Sequence, residues 1–403
     1  MGSFLKDAKG FFELDMIKNK RISFFVIIFL LFFVFVDTSL YGFFFLLNKK
    51  RNLFYDRTDV SVKRIDYWLS NSFDAELGWN LPKNEQNNLG ARRIQDYPLK
   101  DKYKIKIFGD SFVYGSEVKI EDTFAAQVES MTGWDCLNYG VGSYGTDQAL
   151  LKYKNSSVPT DYVILEILSE NIGRVVSYYQ AFYMREWSPP KPRFVKQGDH
   201  MVLLPSPVIN REDAYKLLDK NFVNQLKADD YWSQYYEKIL QAPARLKWPA
   251  SIMIIKHWPF FYERIALELK RMISPSFSVE AGKYKYSHLY QSQTEALEIM
   301  KYIVDEFVRL ARERGERPVI VMFPDQFSMD LVTKYNQLIY SPLQEYIDSQ
   351  GYNYIDFSVS FRNQDYSEFY NYYNGHYSSR GNHFVARELV NFIQKLDRDK
   401  DKI

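Results

Sequence analysis

Four short motifs carry the residue types that acyl-transfer chemistry needs. The first is a Gly-Asp-Ser string ending at Ser111, directly after an apolar run. The second, at 138–148, is rich in small residues that let a backbone approach a ligand closely, and it includes Ser143. Asn171 follows a third apolar run, and its amide can donate to an oxyanion. His376 lies in a loop near the C-terminus, and histidine suits general-base work near neutral pH.

Each motif alone also has an ordinary structural explanation. Turns are rich in Gly, Asp and Ser, and Asn is a common helix cap. A loop histidine is more often part of an ordinary surface than of a site. The order serine, glycine-rich loop, asparagine, histidine, with three of them directly after apolar runs, favours one site built at one edge of a sheet.

The elements that would position these residues alternate between strands and helices. Short apolar runs predict buried strands at 104–108, 135–139, 161–167, 317–323 and 352–357. Amphipathic patterns predict helices at 121–133, 145–155, 291–315, 341–351 and 379–396. This alternation predicts an α/β protein with a flavodoxin-like, three-layer α/β/α fold around a five-stranded parallel sheet. A large insertion at about 172–289 follows the third strand, and it contains a hairpin-like stretch and aromatic helical patterns.

In this order and context the motifs resemble the GDSL/SGNH hydrolase superfamily, over about residues 104–168 and 317–396. The resemblance implies that Ser111 is a nucleophile and His376 its general base. It also implies an oxyanion hole made by the N–H of Ser111, the loop N–H at Ser143 and the side chain of Asn171.

Two departures from the family pattern leave alternatives open. The family usually carries an Asp two or three residues before the histidine, where this chain has Tyr373 and Asn374. Asn374, Asp365 or Asp356 are the candidates for orienting His376, or the site works as a Ser–His pair. Ser143 stands where the family has a glycine, although a backbone N–H survives that change, so Gly142 or Ser143 can supply the donor.

Composition excludes several other classes of protein. The 403 residues carry 52 basic and 50 acidic side chains, so no basic excess favours nucleic acid as a partner. The lone Cys136 excludes an intramolecular disulfide and a multi-cysteine metal site. The sequence has no P-loop, no GxGxxG string and no cluster of His and Cys ligands, so it indicates no metal or nucleotide cofactor.

Residues 22–47 predict a single uncleaved transmembrane anchor between basic flanks. We expect a short tail at 1–21, a linker and approach segment at 48–100, and an SGNH-like domain at 101–403. Asp37 interrupts the apolar run; it is either a functional intramembrane carboxylate or a residue that faces a partner or lies near one interface. The flanking charges are nearly tied and do not fix the orientation.

An anchored SGNH-like domain with an aromatic insertion resembles bacterial proteins that add or remove acyl groups on cell-surface polysaccharides. The resemblance implies an extracytoplasmic domain, a carbohydrate ester substrate and a membrane acyl-donor protein as a possible partner. An esterase, an O-acyltransferase and a non-catalytic polysaccharide-binding or scaffold protein all remain open. Arg174 and Arg185 either line the cleft or face solvent. The aromatic residues after Asn171 either stack on sugar rings or form a core. They are Tyr178, Tyr179, Phe182, Tyr183 and Trp187.

Overall fold

The computed structural model describes residues 2–51, 53–54, 58–184, 187–239, 241–273, 286–371 and 375–400. It divides into two compact units, one of Met1–Asp56 with Tyr235–Glu268 and one of Arg57–Gln234 with Leu269–Ile403. The α-helices among these residues are Gly2–Arg51, Val62–Asn71, Ser111–Tyr114, Phe124–Thr132, Thr146–Asn155, Asn171–Val175, Arg211–Tyr215, Lys220–Leu226, Tyr231–Gln234, Ala250–Lys256, Trp258–Ile273, Glu295–Glu313, Gln326–Tyr335, Ser341–Ser349, Phe357–Arg362 and Ser379–Lys400. Single turns of other helix types lie at Lys83–Glu85, Ile120–Asp122, Gln180–Phe182, Lys216–Leu218, Lys227–Asp229, Tyr235–Ile239 and Tyr366–Phe369.

The larger unit is built on a five-stranded parallel sheet. In chain order the strands are β1 (Phe73–Asp74), β2 (Gly78–Trp79), β3 (Tyr103–Phe108), β4 (Cys136–Asn138), β5 (Thr160–Leu168), β6 (Arg193–Gln197), β7 (His200–Leu204), β8 (Arg317–Phe323) and β9 (Tyr354–Asp356). The sheet has the order β4-β3-β5-β8-β9, with every neighbouring pair parallel. This flavodoxin-like order confirms the predicted fold class.

Successive residues of a strand point to opposite faces of the sheet. Helices cover both faces here because apolar strand residues point to each of them. Ile105, Ile107 and Ile164 belong to a buried cluster with the helices Phe124–Thr132 and Ser379–Lys400. On the other face Phe108 contacts Tyr153, whose ring lies 5.3 Å from that of Phe307 in the helix Glu295–Glu313. The layers hold the carboxyl ends of β3, β4 and β5 side by side at one edge.

Elements outside the sheet differ in how closely they follow the sequence pattern. The hairpin-like stretch of the insertion forms the antiparallel pair β6–β7. The segment predicted as a linker contains the helix Val62–Asn71 and the short pair β1–β2. A helix at Gln326–Tyr335, capped by Asp325, follows β8 and was not predicted.

The smaller unit contains the N-terminal helix. Its part Arg21–Lys49 is long and apolar enough to cross a membrane, and most of its side chains are exposed. Asp37 is an exception, since its side chain is fully buried.

Candidate active site

Ser111 opens a short helix directly after β3. Gly109 makes the turn possible, because a Cβ there would lie 2.4 Å from both Glu166 Oε2 and Val113 Cγ2. The carboxylate of Asp110 caps the helix by accepting a 2.8 Å hydrogen bond from the N–H of Phe112. The helix ends at Gly115, whose φ of 77° is favoured by glycine. Tight local geometry thus fixes the serine at the sheet edge.

The hydroxyl of Ser111 forms the first link of a three-residue chain. Its Oγ lies 2.9 Å from Nε2 of His376, and Nδ1 of the same ring lies 3.0 Å from Oε1 of Glu117. Ser111 is buried, whereas His376 and Glu117 are about a quarter exposed. Such a chain lets the imidazole take the serine proton while the carboxylate orients and stabilises the imidazolium.

The carboxylate that is hydrogen-bonded to His376 is not one that the sequence suggested. Asp365 accepts from the N–H and hydroxyl of Ser367, Asp356 caps the helix Phe357–Arg362, and Asn374 lies outside the described residues. The hydrogen bond to Nδ1 of His376 is made by Glu117, which was not among the candidates. No local sequence pattern marks Glu117, which lies in the loop after the serine helix at a backbone φ of 70°.

The glycine-rich loop after β4 presents a backbone donor. Trp79 Nε1 donates to the carbonyl of Gly142 and Gln180 Nε2 to that of Ser143, each at 3.0 Å. Ser143 has a φ of 64°, and no described residue accepts from its N–H or from that of Ser111. Gly140 allows the loop to approach, since a Cβ there would lie 2.3 Å from the nitrogen of Tyr114. Both N–H groups therefore remain available to an oxyanion.

Asn171 begins the helix that follows β5, the strand beside β3. Its side chain is 1% exposed, and its Oδ1 has no hydrogen-bond partner among the described residues. A buried amide without a partner is costly unless a ligand engages it. The atom without a partner is the acceptor oxygen, so the donor role that the resemblance implies for Nδ2 of Asn171 is supported only by its position at the carboxyl end of β5, beside β3.

Arg174 connects the three segments that carry these donors. Its Nη1 donates to Oδ2 of Asp110 and to the carbonyl of Tyr144, each at 2.8 Å, and its Nη2 donates to Glu170. Asp110, Tyr144 and Glu170 are the sequence neighbours of Ser111, Ser143 and Asn171 respectively. Arg174 is 5% exposed, so it faces neither solvent nor an open cleft.

Buried charges surround this arginine. Burial would lower the pKa of Arg174, but the carboxylates of Glu170 and Asp110 outweigh it and raise that pKa. Burial raises the pKa of Glu166 well above its ordinary value, and nearby Asp110 raises it further. Glu166 accepts from the N–H of Asp110 at 3.1 Å. Burial also raises the pKa of Asp110, and the guanidinium of Arg174 opposes that rise.

The aromatic residues after Asn171 form a core. Tyr178, Tyr179, Phe182 and Tyr183 are all buried. Trp187 donates to the hydroxyl of Tyr179 at 2.6 Å. These side chains therefore offer little exposed ring surface to a sugar. Arg185 lies outside the described residues.

No protein-family model matches the chain, and no curated protein is similar to it in sequence. A structure from Desulfitobacterium hafniense, described as a lipolytic protein of the G-D-S-L family, is similar over 71% of this chain and 98% of its own, at 10% identity and a TM-score of 0.32. One from Veillonella parvula, of the same description, is similar over 72% and 96%, at 11% identity and a TM-score of 0.35.

The resemblance to the GDSL/SGNH superfamily rests on three features of this chain. They are the order of the parallel strands, the serine in a Gly-Asp-Ser turn after the first of them, and the histidine from the C-terminal part that is hydrogen-bonded to that serine. The sheet has the flavodoxin-like α/β fold that the sequence predicted.

Proposed function

We propose that the protein is a membrane-anchored serine esterase or O-acyltransferase that acts on acyl esters, foremost acetyl esters, of a cell-surface polysaccharide. The observation that carries the proposal is the chain from Ser111 Oγ through His376 to Glu117. A nucleophile hydrogen-bonded to a base, itself oriented by a carboxylate, is the arrangement that activates serine.

The proposed reaction has two halves. Ser111 Oγ attacks the ester carbonyl carbon while His376 Nε2 takes the hydroxyl proton, and Glu117 stabilises the imidazolium. The oxyanion accepts from the N–H groups of Ser111 and Ser143 and from the Asn171 amide. His376 then protonates the leaving alcohol as the C–O bond breaks, which leaves an acyl-Ser111 ester. Water or a sugar hydroxyl, deprotonated by the same imidazole, attacks that ester and restores the serine.

The exposure of the site bears on which acceptor takes the acyl group. His376 and Glu117 are 22% and 25% exposed, so water reaches the base directly. An open site favours hydrolysis, whereas transfer to a sugar needs water to be excluded. We therefore place hydrolysis first and transfer second. A purely polysaccharide-binding protein would have no use for a serine bonded to a histidine in this way.

The location and substrate class follow from the anchor and from the resemblance. The apolar helix Arg21–Lys49 fits a bilayer, and we propose a single span with the larger unit on the extracytoplasmic side. There the accessible esters include those of surface glycans. A membrane acyl-donor protein is the proposed partner if the reaction is transfer.

The experiment is acetate release from O-acetylated bacterial polysaccharides by the full-length protein in detergent micelles, with and without an added sugar acceptor. We expect release that Ser111→Ala abolishes and that Ser116→Ala, a serine in the same loop, preserves. Acetylated acceptor in place of acetate would favour transfer. Turnover of a small aryl acetate without action on any polysaccharide would contradict the substrate class but not the esterase chemistry.

A further inference from the structure

Asp37, the carboxylate within the apolar helix, has partners in its own unit. Its Oδ2 accepts from the N–H of Ala250 at 2.9 Å, and its Oδ1 accepts from the N–H of Ser251 at 2.8 Å. These are donors of the first turn of the helix Ala250–Lys256, which has no side-chain cap of its own from Pro249. Asp37 thus joins the start of a second helix to the membrane-spanning one.

Apolar packing continues the same connection. The ring of Phe44 lies 4.8 Å from that of Phe261, edge to face, and both are buried. Met253 and Phe260 are also buried. One side of the segment 248–262 is therefore buried, with Phe261 packed against Phe44 of the N-terminal helix.

The opposite face is apolar too, and it is exposed. Exposed apolar side chains recur every three or four residues from just before the helix Ala250–Lys256 to the first turns of the helix Trp258–Ile273. They are Trp248, Ile252, Ile255, Trp258 and Tyr262, with exposed fractions of 57%, 58%, 75%, 54% and 62%. A helical segment that is apolar on both faces is unsuited to water. Trp and Tyr are the residues enriched at membrane–water boundaries.

The position of Asp37 along the anchor indicates which environment covers the exposed face of residues 248–262. Fifteen residues separate Ile22 from Asp37, a rise of about 22 Å along the helix at about 1.5 Å per residue. A hydrocarbon core of about 30 Å that begins at Ile22 ends about 8 Å beyond Asp37. Interfacial helices lie with their apolar face about 5–10 Å inside that boundary. The helix joined to Asp37 begins at this depth.

We propose that residues 248–262 form a second, interfacial membrane-binding segment. Its exposed apolar stripe lies among the acyl chains of the leaflet from which the C-terminal end of the anchor emerges, and Asp37 holds it there. The occupant of this face is the lipid bilayer. The inference rests on the proposed span of the N-terminal helix, and it accounts for an intramembrane carboxylate as a cap rather than as a catalytic or transport group.

The test is depth-dependent quenching of a fluorophore on single introduced cysteines in the full-length protein, reconstituted into phosphatidylcholine–phosphatidylglycerol vesicles. Cys136 is fully buried, and the unmutated protein measures its background labelling. The probe sites are Ile255→Cys in the stripe, Phe32→Cys at about 15 Å along the span by the same rise, and Lys220→Cys on an exposed helix of the larger unit.

We expect Ile255→Cys to be quenched most by nitroxide lipids labelled near the headgroup. Phe32→Cys should be quenched most by those labelled at the chain end, and Lys220→Cys by neither. An unquenched Ile255→Cys beside a quenched Phe32→Cys would overturn the proposal while leaving the anchor intact, and would indicate a protein partner on this face. An unquenched Phe32→Cys would refute the span itself.

A second pair of variants tests the role of Asp37. Asp37→Leu should reduce headgroup-proximal quenching at Ile255→Cys and leave that at Phe32→Cys unchanged. Ser39→Ala is the matched control, because the Ser39 hydroxyl donates to the carbonyl of Phe35 in its own helix and to no other described residue. Equal quenching in Asp37→Leu and Ser39→Ala would contradict the capping role.

Discussion

Replacing Glu117 by Gln tests the least expected contact of the site. Glu117 lies 3.0 Å from Nδ1 of His376, and the isosteric amide can still accept a hydrogen bond there. The amide carries no charge, so it cannot stabilise the imidazolium that forms when Ser111 attacks. The variant therefore removes one electrostatic contribution and preserves the shape of the loop.

The size of the effect follows from the distance and the exposure. Unit charges 3.0 Å apart attract by about 1.4 kcal/mol at a water-like dielectric and by about 5.5 kcal/mol at an effective dielectric of about 20. Both side chains are about a quarter exposed, which favours the lower part of that range. We expect kcat to fall about 10-fold to about 100-fold, well below the loss of about 10⁴ for a buried protease aspartate.

The assay is aryl acetate hydrolysis by the full-length protein, with kcat and KM separated and with thermal unfolding measured in parallel. KM and the unfolding temperature should stay unchanged in Glu117→Gln. Glu121→Gln, an exposed glutamate at the next turn, is the control and should keep wild-type kcat. A kcat for Glu117→Gln equal to that of the control would refute the positioning role.

Three further variants test the donors, the arginine and a buried lysine. Asn171→Ala should lower kcat by about 10²–10³ with a smaller change in KM, measured on the same ester. Arg174→Met should lower the free energy of unfolding by about 3–5 kcal/mol, measured by denaturant titration, since it leaves the buried Asp110 unpaired. Burial lowers the pKa of Lys152 to about 7 from 10.5, although Asp74 opposes the shift. The unfolded chain therefore binds this proton more tightly, so wild-type stability should rise from pH about 7 to about 10, and Lys152→Met should flatten that rise in thermal unfolding.

The sheet could be predicted because its strands are short, apolar and buried on both faces. The run 161–167 corresponds to β5 at Thr160–Leu168, and the run 317–323 to β8 at Arg317–Phe323. The helix Gln326–Tyr335 was missed because only four of its ten residues are buried, which leaves a weak periodic pattern. Helix ends marked by glycine were predicted within a residue or two, as at Gly133 after Phe124–Thr132.

Only those site residues that stand in local sequence motifs could be predicted. Ser111 and His376 stand in recognisable strings, and the fold brings them to 2.9 Å. Glu117 is 259 residues away from His376, so no local pattern links the two. Arg174 was ambiguous for the same reason, because its partners Asp110 and Tyr144 lie 64 and 30 residues away along the chain.

The central claim is that Ser111 is an activated nucleophile, and the most direct measurement is its reaction with a fluorophosphonate probe. The detergent-solubilised full-length protein would be labelled and read by intact mass beside Ser111→Ala and His376→Ala. We predict a single adduct in the wild type that is absent from both variants. A folded wild type that stays unlabelled, or that is labelled equally in Ser111→Ala, would contradict an independently activated serine at this site.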